Sequence, residues 1–213
     1  MTNVLHESSL HESSLIDVLH DNYLWTVPLS LDNKSLYEFS FTIERILRQT
    51  IKNPTTNTPY KTFTTANYLH YNLLTFRHPE LIALFTDLRN NIAGFLKRDE
   101  RYVLQCWLNI FRRGEFINWH HHWPVGSGVI HGYYCVNVGD SLTSYQIPGN
   151  DRIVEVHNQD GLLVFGRSEG DRHKSSEWNR DDPRVTMAFD VIPWKQSLQA
   201  GDETYYNHYI PFL

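Results

Sequence analysis

Tyr102-Val103-Leu104-Gln105-Cys106-Trp107-Leu108-Asn109-Ile110-Phe111 is a ten-residue run rich in β-branched, aromatic and aliphatic residues, closed by Arg112-Arg113-Gly114. It reads as a buried strand. Similar stretches follow at Phe116 to His122, Val129 to Val138, Leu142 to Ile147, Ile153 to His157, Leu162 to Phe165 and Val185 to Ile192, separated by Gly, Pro, Asn or Asp. Seven or eight short strands in succession describe a two-sheet β-roll.

Upstream of this run the period changes. Leu36, Phe39, Phe41, Ile43, Ile46 and Leu47 give an apolar face over about Lys34 to Gln49, with Asp32 or Asn33 as cap. A second helix starts at His78-Pro79, where proline suits the first turn, and carries Leu81, Ile82, Leu84, Phe85, Leu88, Ile92, Phe95 and Leu96 to about Lys97. The turn-rich Asn53-Pro54-Thr55-Thr56-Asn57-Thr58-Pro59 lies between them. The expected fold class is therefore α+β: a jelly-roll (double-stranded β-helix, cupin-like) core with N-terminal helices packed on one sheet. Residues 1–20, which hold the duplicated His6-Glu7-Ser8-Ser9-Leu10 and His11-Glu12-Ser13-Ser14-Leu15, read as a flexible arm. Residues 21–213 read as one domain, with a helical part at about 30–98, a β-roll at about 101–193 and a tail at 194–213. The tail's Tyr205-Tyr206-Asn207-His208-Tyr209-Ile210-Pro211-Phe212 is too aromatic to stay free. It suits docking on the body or on a second copy of the chain, as in a homodimer.

Composition narrows the function. The 213 residues are 41% apolar with a net charge of −5 and scattered Lys and Arg, so no basic stripe points to nucleic acid. No apolar run approaches the roughly 20 residues of a membrane-spanning helix, and no signal peptide is legible, so a cytoplasmic chain is expected. The two cysteines, Cys106 and Cys135, sit in apolar surroundings as buried, inert thiols.

The chemistry lies in the histidines. Residues i and i+2 of a strand share a face, so His120 and His122 project together, with Asn118 beside them. Such a pair supplies two adjacent imidazole ligands to a metal. A third would come from His173, at the end of the apolar stretch and loop running from Gly161 to Arg172. Three ligands on one side leave the other open to substrate and dioxygen. Eleven residues on, Arg184 and Thr186 share a face of an apolar strand and suit the grip of a carboxylate. His131 and His157 read as hydrogen-bonded core or edge histidines, and Trp119 and Trp123 as aromatics at the barrel mouth.

The order His120-x-His122, about fifty residues, His173, about ten residues, then Arg184-x-Thr186 resembles the iron(II)/2-oxoglutarate-dependent oxygenases. Trp107 to Gly114, Ser127-Gly128-Val129 and Gly132-Tyr133-Tyr134 are most similar to a small bacterial and phage group of them, and the resemblance covers about Trp107 to Pro193. It implies a jelly-roll hydroxylase binding Fe(II) and 2-oxoglutarate and acting on a small-molecule or peptide substrate with dioxygen. His120 and His173 would be iron ligands. Arg184 and Thr186 would hold the distal carboxylate of 2-oxoglutarate, with a further hydrogen bond from Tyr134, its neighbour Tyr133 or Tyr145. Asn109 and Trp107 would line the same cavity. The departure is His122, where most of the family has Asp or Glu. Either His122 is the third ligand, or Asp140 or Asp171 restores a carboxylate, or His121 and His122 exchange roles at a bulge. Two readings without 2-oxoglutarate stay open: a cupin-like three-histidine metalloenzyme, and a non-enzymatic metal-binding module on the same fold.

Overall fold

The structure is a computed structural model, and it describes residues 17–19, 23–50, 63–64, 71–147, 152–168, 170–199 and 208–213. The duplicated N-terminal segment and the 53–60 loop lie outside these residues. Among the described residues, eleven strands and three α-helices follow one another as β1 (Asp17–Leu19), β2 (Leu24–Pro28), α1 (Asn33–Thr50), β3 (Phe63–Thr64), α2 (Pro79–Ile92), β4 (Tyr102–Phe111), β5 (Ile130–Asn137), β6 (Leu142–Gln146), β7 (Ile153–His157), β8 (Leu162–Arg167), β9 (Arg172–Ser175), β10 (Arg184–Pro193), α3 (Trp194–Gln199) and β11 (Ile210–Pro211).

Both long helices form where caps and apolar spacing require them. The Asp32 carboxylate accepts from the Ser35 amide, and α1 then buries Leu36, Ser40, Ile43 and Leu47 at helical spacing. His78 caps α2 by accepting from the Glu80 amide, Pro79 occupies the first turn, and Leu81, Leu84, Leu88 and Ile92 are buried. The apolar pattern continues toward Lys97, but α2 stops at Ile92 and gives way to a tight turn at Ala93–Phe95 around Gly94.

A large antiparallel sheet runs β1-β2-β8-β5-β10-β4-β11, with β3 also on β4; a small sheet runs β7-β6-β9. One face of the large sheet receives α1 and α2. Leu104, Cys106, Leu108, Ile110, Tyr134, Val136, Val185, Met187, Phe189 and Val191 meet the helical leucines and isoleucines there. Each fully buried aliphatic side chain contributes roughly 1.5–3 kcal/mol of transfer free energy. The opposite face turns to the small sheet, and the functional cavity lies between the two. This is an α+β double-stranded β-helix with its N-terminal helices on one sheet.

β1 pairs with β2 in register Asp17 with Thr26, so part of the segment 1–20 is a sheet edge. Phe116 to His122 is not a strand: it meets β9 irregularly through Ile117 and His120, and only His120 makes a bridge. His173 sits in a strand, β9, not at the end of a loop. The tail docks on the body. β11 pairs with β4, and Phe212 is buried in the helix-side core. Burial pushes the Cys135 thiol up to about 12 and Cys106 higher, so neither offers a thiolate. Among the described residues no helix is long and apolar enough to cross a membrane.

Candidate metal centre and carboxylate pocket

The floor of the cavity is built by strict alternation on three neighbouring strands. On β10 the even residues Arg184, Thr186, Ala188 and Asp190 point in; on β4 the odd residues Gln105, Trp107, Asn109 and Phe111 do. Register places Arg184 against Phe111, Thr186 against Asn109 and Asp190 against Gln105. On the other flank Ala188 meets Tyr133 and Asp190 meets His131. The roof is β9 with His173, Lys174 and Ser175, and Thr143 of β6. The cavity measures about 510 Å³.

His120 and His173 are brought together by their backbones. Each donates its amide to the other's carbonyl, at 3.0 and 2.9 Å, which fixes the side chains as near neighbours. Their ring centroids lie 4.2 Å apart, and those of His120–His122 and His122–His173 lie 5.1 and 5.0 Å apart. One nitrogen of each of the three falls within 4.8 Å of the others, a spacing that suits one metal ion. His120 Nδ1 is 2.8 Å from the Asn118 carbonyl, which only accepts, so the proton is on Nδ1 and the lone pair on Nε2. Burial and then the neighbouring His122 lower the His120 imidazole to about 3. Burial and the other histidines also lower His131 and His173. These rings are neutral, the form that ligates metal.

Behind the rings stand two buried carboxylates. Asp190 accepts from His131 Nδ1 at 2.7 Å and Trp123 Nε1 at 2.9 Å, with His122 Nδ1 at 3.4 Å. Burial raises its pKa, but His122 and His131 outweigh this and hold Asp190 well below the usual carboxylate range. Asp171 lies 3.5 Å from His173 Nδ1 without bonding it, and burial raises its pKa. Asp140 is exposed in the turn after β5 and joins neither group of potential metal ligands. A second group, His122, His131 and Asp190, shares His122 with the first.

At the inner end is a cation without an anion. Arg184 is 2% exposed, and its Nε and Nη1 have no hydrogen-bond partner. No carboxylate pairs with it among the described residues, while the Phe111 ring lies 4.7 Å beneath its guanidinium. Burial lowers its pKa, yet arginine stays charged. Asn109 Oδ1, on the strand beside Thr186, is also buried and unpartnered.

The arrangement joins His120, His122, His173, Arg184, Thr186 and Asn109 around one cavity. Tyr134 is a correction. The pleat turns it to the helix side, where its hydroxyl donates to Asn33 Oδ1. Its neighbour Tyr133 faces the cavity and donates to Asn158 Oδ1 at 2.8 Å, while the Tyr145 ring lies 5.4 Å from that of His173. His131 and Asp190 are additions to the site. The signal for Asp190 was a lone acid in an apolar strand, in phase with Arg184 and Thr186. Trp123 lines the cavity, whereas Trp119 is not among its lining residues; the Trp119 ring lies 6.0 Å from the Arg172 guanidinium and 5.0 Å from Lys174 Nζ.

The donor set fits a divalent metal, and the orphaned Arg184 N–H donors fit a carboxylate ligand beside it. No protein-family model matches the chain, and no curated protein is similar to it. Solved structures are. A prolyl hydroxylase of Trichoplax adhaerens, in complex with a hypoxia inducible factor oxygen degradation domain peptide, superposes with a TM-score of 0.63 and 11% identity over 85% of this chain and 89% of that one. A prolyl-4-hydroxylase of Pseudomonas putida gives 0.58 and 12%, covering 81% and 93%. HygX of Streptomyces hygroscopicus, with nickel and 2-oxoglutarate bound, gives 0.54 and 11%, covering 82% and 84%. At such identities the likeness is one of architecture: the chain has the double-stranded β-helix fold of the iron(II)/2-oxoglutarate-dependent oxygenases.

Proposed function

We propose that the protein is a non-haem iron(II)- and 2-oxoglutarate-dependent dioxygenase that hydroxylates an amino acid, a peptide side chain or a small metabolite. The observation that carries this reading is the buried, uncompensated Arg184 guanidinium in the same cavity as His120, His122 and His173. A charge taken out of water without a partner is costly, so the pocket is built to receive an anion there.

His120, His122 and His173 would hold the iron. Arg184 and Thr186, on one face of β10, would hold the distal carboxylate of 2-oxoglutarate, with Asn109 alongside from β4. Phe111 fixes the plane of the guanidinium, so that its unpartnered Nε and Nη1 donors are oriented before any ligand arrives. Trp107, Ala188 and Tyr133 wall the space between metal and arginine and keep water from it. When bound, iron(II) with 2-oxoglutarate and dioxygen supplies oxidative decarboxylation to succinate coupled to C–H hydroxylation. Substrate enters past Trp123 and Lys174 at the mouth.

One observation favours a second reading, a cupin-like three-histidine metalloenzyme without 2-oxoglutarate: among the described residues no carboxylate joins His120, His122 and His173 in their donor group. Anaerobic iron(II) titration with and without 2-oxoglutarate separates the two. The first reading expects a visible charge-transfer band only when both are present. Metal bound with no band would reject it.

A further inference from the structure

Asp190 occupies an unusual position for a carboxylate. It is 4% exposed, in the middle of β10, flanked in register by Gln105 of β4 and His131 of β5. No lysine or arginine pairs with it among the described residues. Its surroundings are instead three ring N–H groups, from His131, Trp123 and His122. A buried carboxylate needs several such donors to offset its desolvation, and a cation nearby to be a net gain. A metal ion held on the far side of His122 would be such a cation.

We infer that Asp190 is the positioning residue of the metal centre: it clamps His122 from behind and supplies from there the negative charge that a ligand carboxylate would supply directly. The inference rests on the metal site read above, but not on 2-oxoglutarate. With Nδ1 turned toward Asp190, His122 is left with Nε2 for the metal. A dication with three neutral imidazoles carries two positive charges, and Asp190 one hydrogen bond away brings the local total to one. That is the total for two histidines and a carboxylate. The departure at His122 is then compensated 68 residues downstream, by the strand that also carries Arg184. His131 takes the other oxygen of Asp190 and holds the carboxylate in its rotamer. The competing arrangement puts a metal on His122, His131 and Asp190 itself, whose donor atoms also fall within 4.8 Å of one another.

Cobalt(II) titration of the full chain tests this, read by visible absorption and by the metal-free thermal midpoint. Asp190→Asn keeps the shape and removes the charge. The expected result is Co(II) affinity weakened about 10–100-fold, the range for losing an outer carboxylate behind a ligating histidine. The Co(II) spectrum should shift and the metal-free midpoint stay near that of the parent. His131→Gln should bind Co(II) nearly as tightly as the parent, and His120→Ala should lose binding. Unchanged affinity in Asp190→Asn would reduce the carboxylate to a structural buttress and overturn the inference. Loss of binding in His131→Gln with retention in His120→Ala would overturn it by making Asp190 a ligand. Should Asp190→Asn not fold, the His131→Gln and His120→Ala pair still decides between the two arrangements. Parent protein that binds Co(II) yet gives no iron(II)/2-oxoglutarate band would reject the proposed cofactor and leave this inference standing.

Discussion

At the scale of the residue, the least ordinary feature is Arg184. Most buried arginines meet a carboxylate; this one meets the face of Phe111 and leaves Nε and Nη1 without partners. Such a residue is held at a cost to the ligand-free protein and repaid when an anion binds. One substitution should therefore move two quantities in opposite directions. Arg184→Met keeps the length and the contact with Phe111 but removes the charge. In the metal-loaded protein it should weaken 2-oxoglutarate binding by about 2–5 kcal/mol, the range for truncating one partner of a buried charge pair, with metal affinity unchanged. In the ligand-free protein it should raise stability, by about 1–4 kcal/mol if it follows other replacements of buried charges by apolar groups. Calorimetric titration and thermal melting check the two halves. A destabilised Arg184→Met would mean that the guanidinium already has a compensating partner.

At the scale of the element, the sequence was most legible where one strand is buried on both faces. Tyr102–Phe111 was bounded to the residue, because eight apolar or aromatic positions among ten, with no charge, sit between Arg101 and Arg112. The phase of Arg184 and Thr186 followed from the same periodicity. β9 was not legible: Arg172-His173-Lys174-Ser175 has little β propensity and is a strand because Tyr145 of β6 and its neighbours pair with it. Conversely, Phe116 to His122 has strand composition but no continuous partner, and only His120 closes a bridge. Asp190 escaped notice because its partners lie 59 and 68 residues away in sequence. Gly132 shows how tightly these strands are assembled. A Cβ there would collide with the Val164 carbonyl oxygen and lie 2.5 Å from Phe189 Cζ and 2.8 Å from Phe165 Cβ. Backbone cannot yield as a side chain does, so Gly132→Ala must push β5 away from β8. We expect a loss of about 1–3 kcal/mol from overpacking. Urea denaturation measures it; a neutral Gly132→Ala would show that the two strands are free to separate.

At the scale of the whole molecule, the fold has a bare edge to protect. β4 is the last long strand of the large sheet, and its outer edge is covered in two places, by β3 at Ile110 and Asn109 and by β11 at Leu104 and Val103. An uncovered edge of that length and apolarity would invite pairing with another chain. The C-terminal segment also ties layers together. Tyr102 and Phe212 exchange backbone hydrogen bonds with Leu213 and Tyr102, the Asn72 amide donates to the His208 carbonyl, and the Phe212 ring meets Phe85 of α2 edge-on at 6.0 Å. The tail thus connects the helical layer to the strand whose other face carries Trp107 and Asn109 into the cavity. Phe212→Ala should cost about 3–5 kcal/mol, as for other large-to-small changes at fully buried aromatics. Its effect should reach the pocket through β4. Amide exchange at Tyr102 and Leu104 should accelerate first, because the tail holds these residues directly, and 2-oxoglutarate affinity should fall with it while the histidine roof on β9 keeps its protection. Exchange that instead rose uniformly across both sheets would show that the tail stabilises the fold as a single unit and has no particular hold on the strand beneath the pocket.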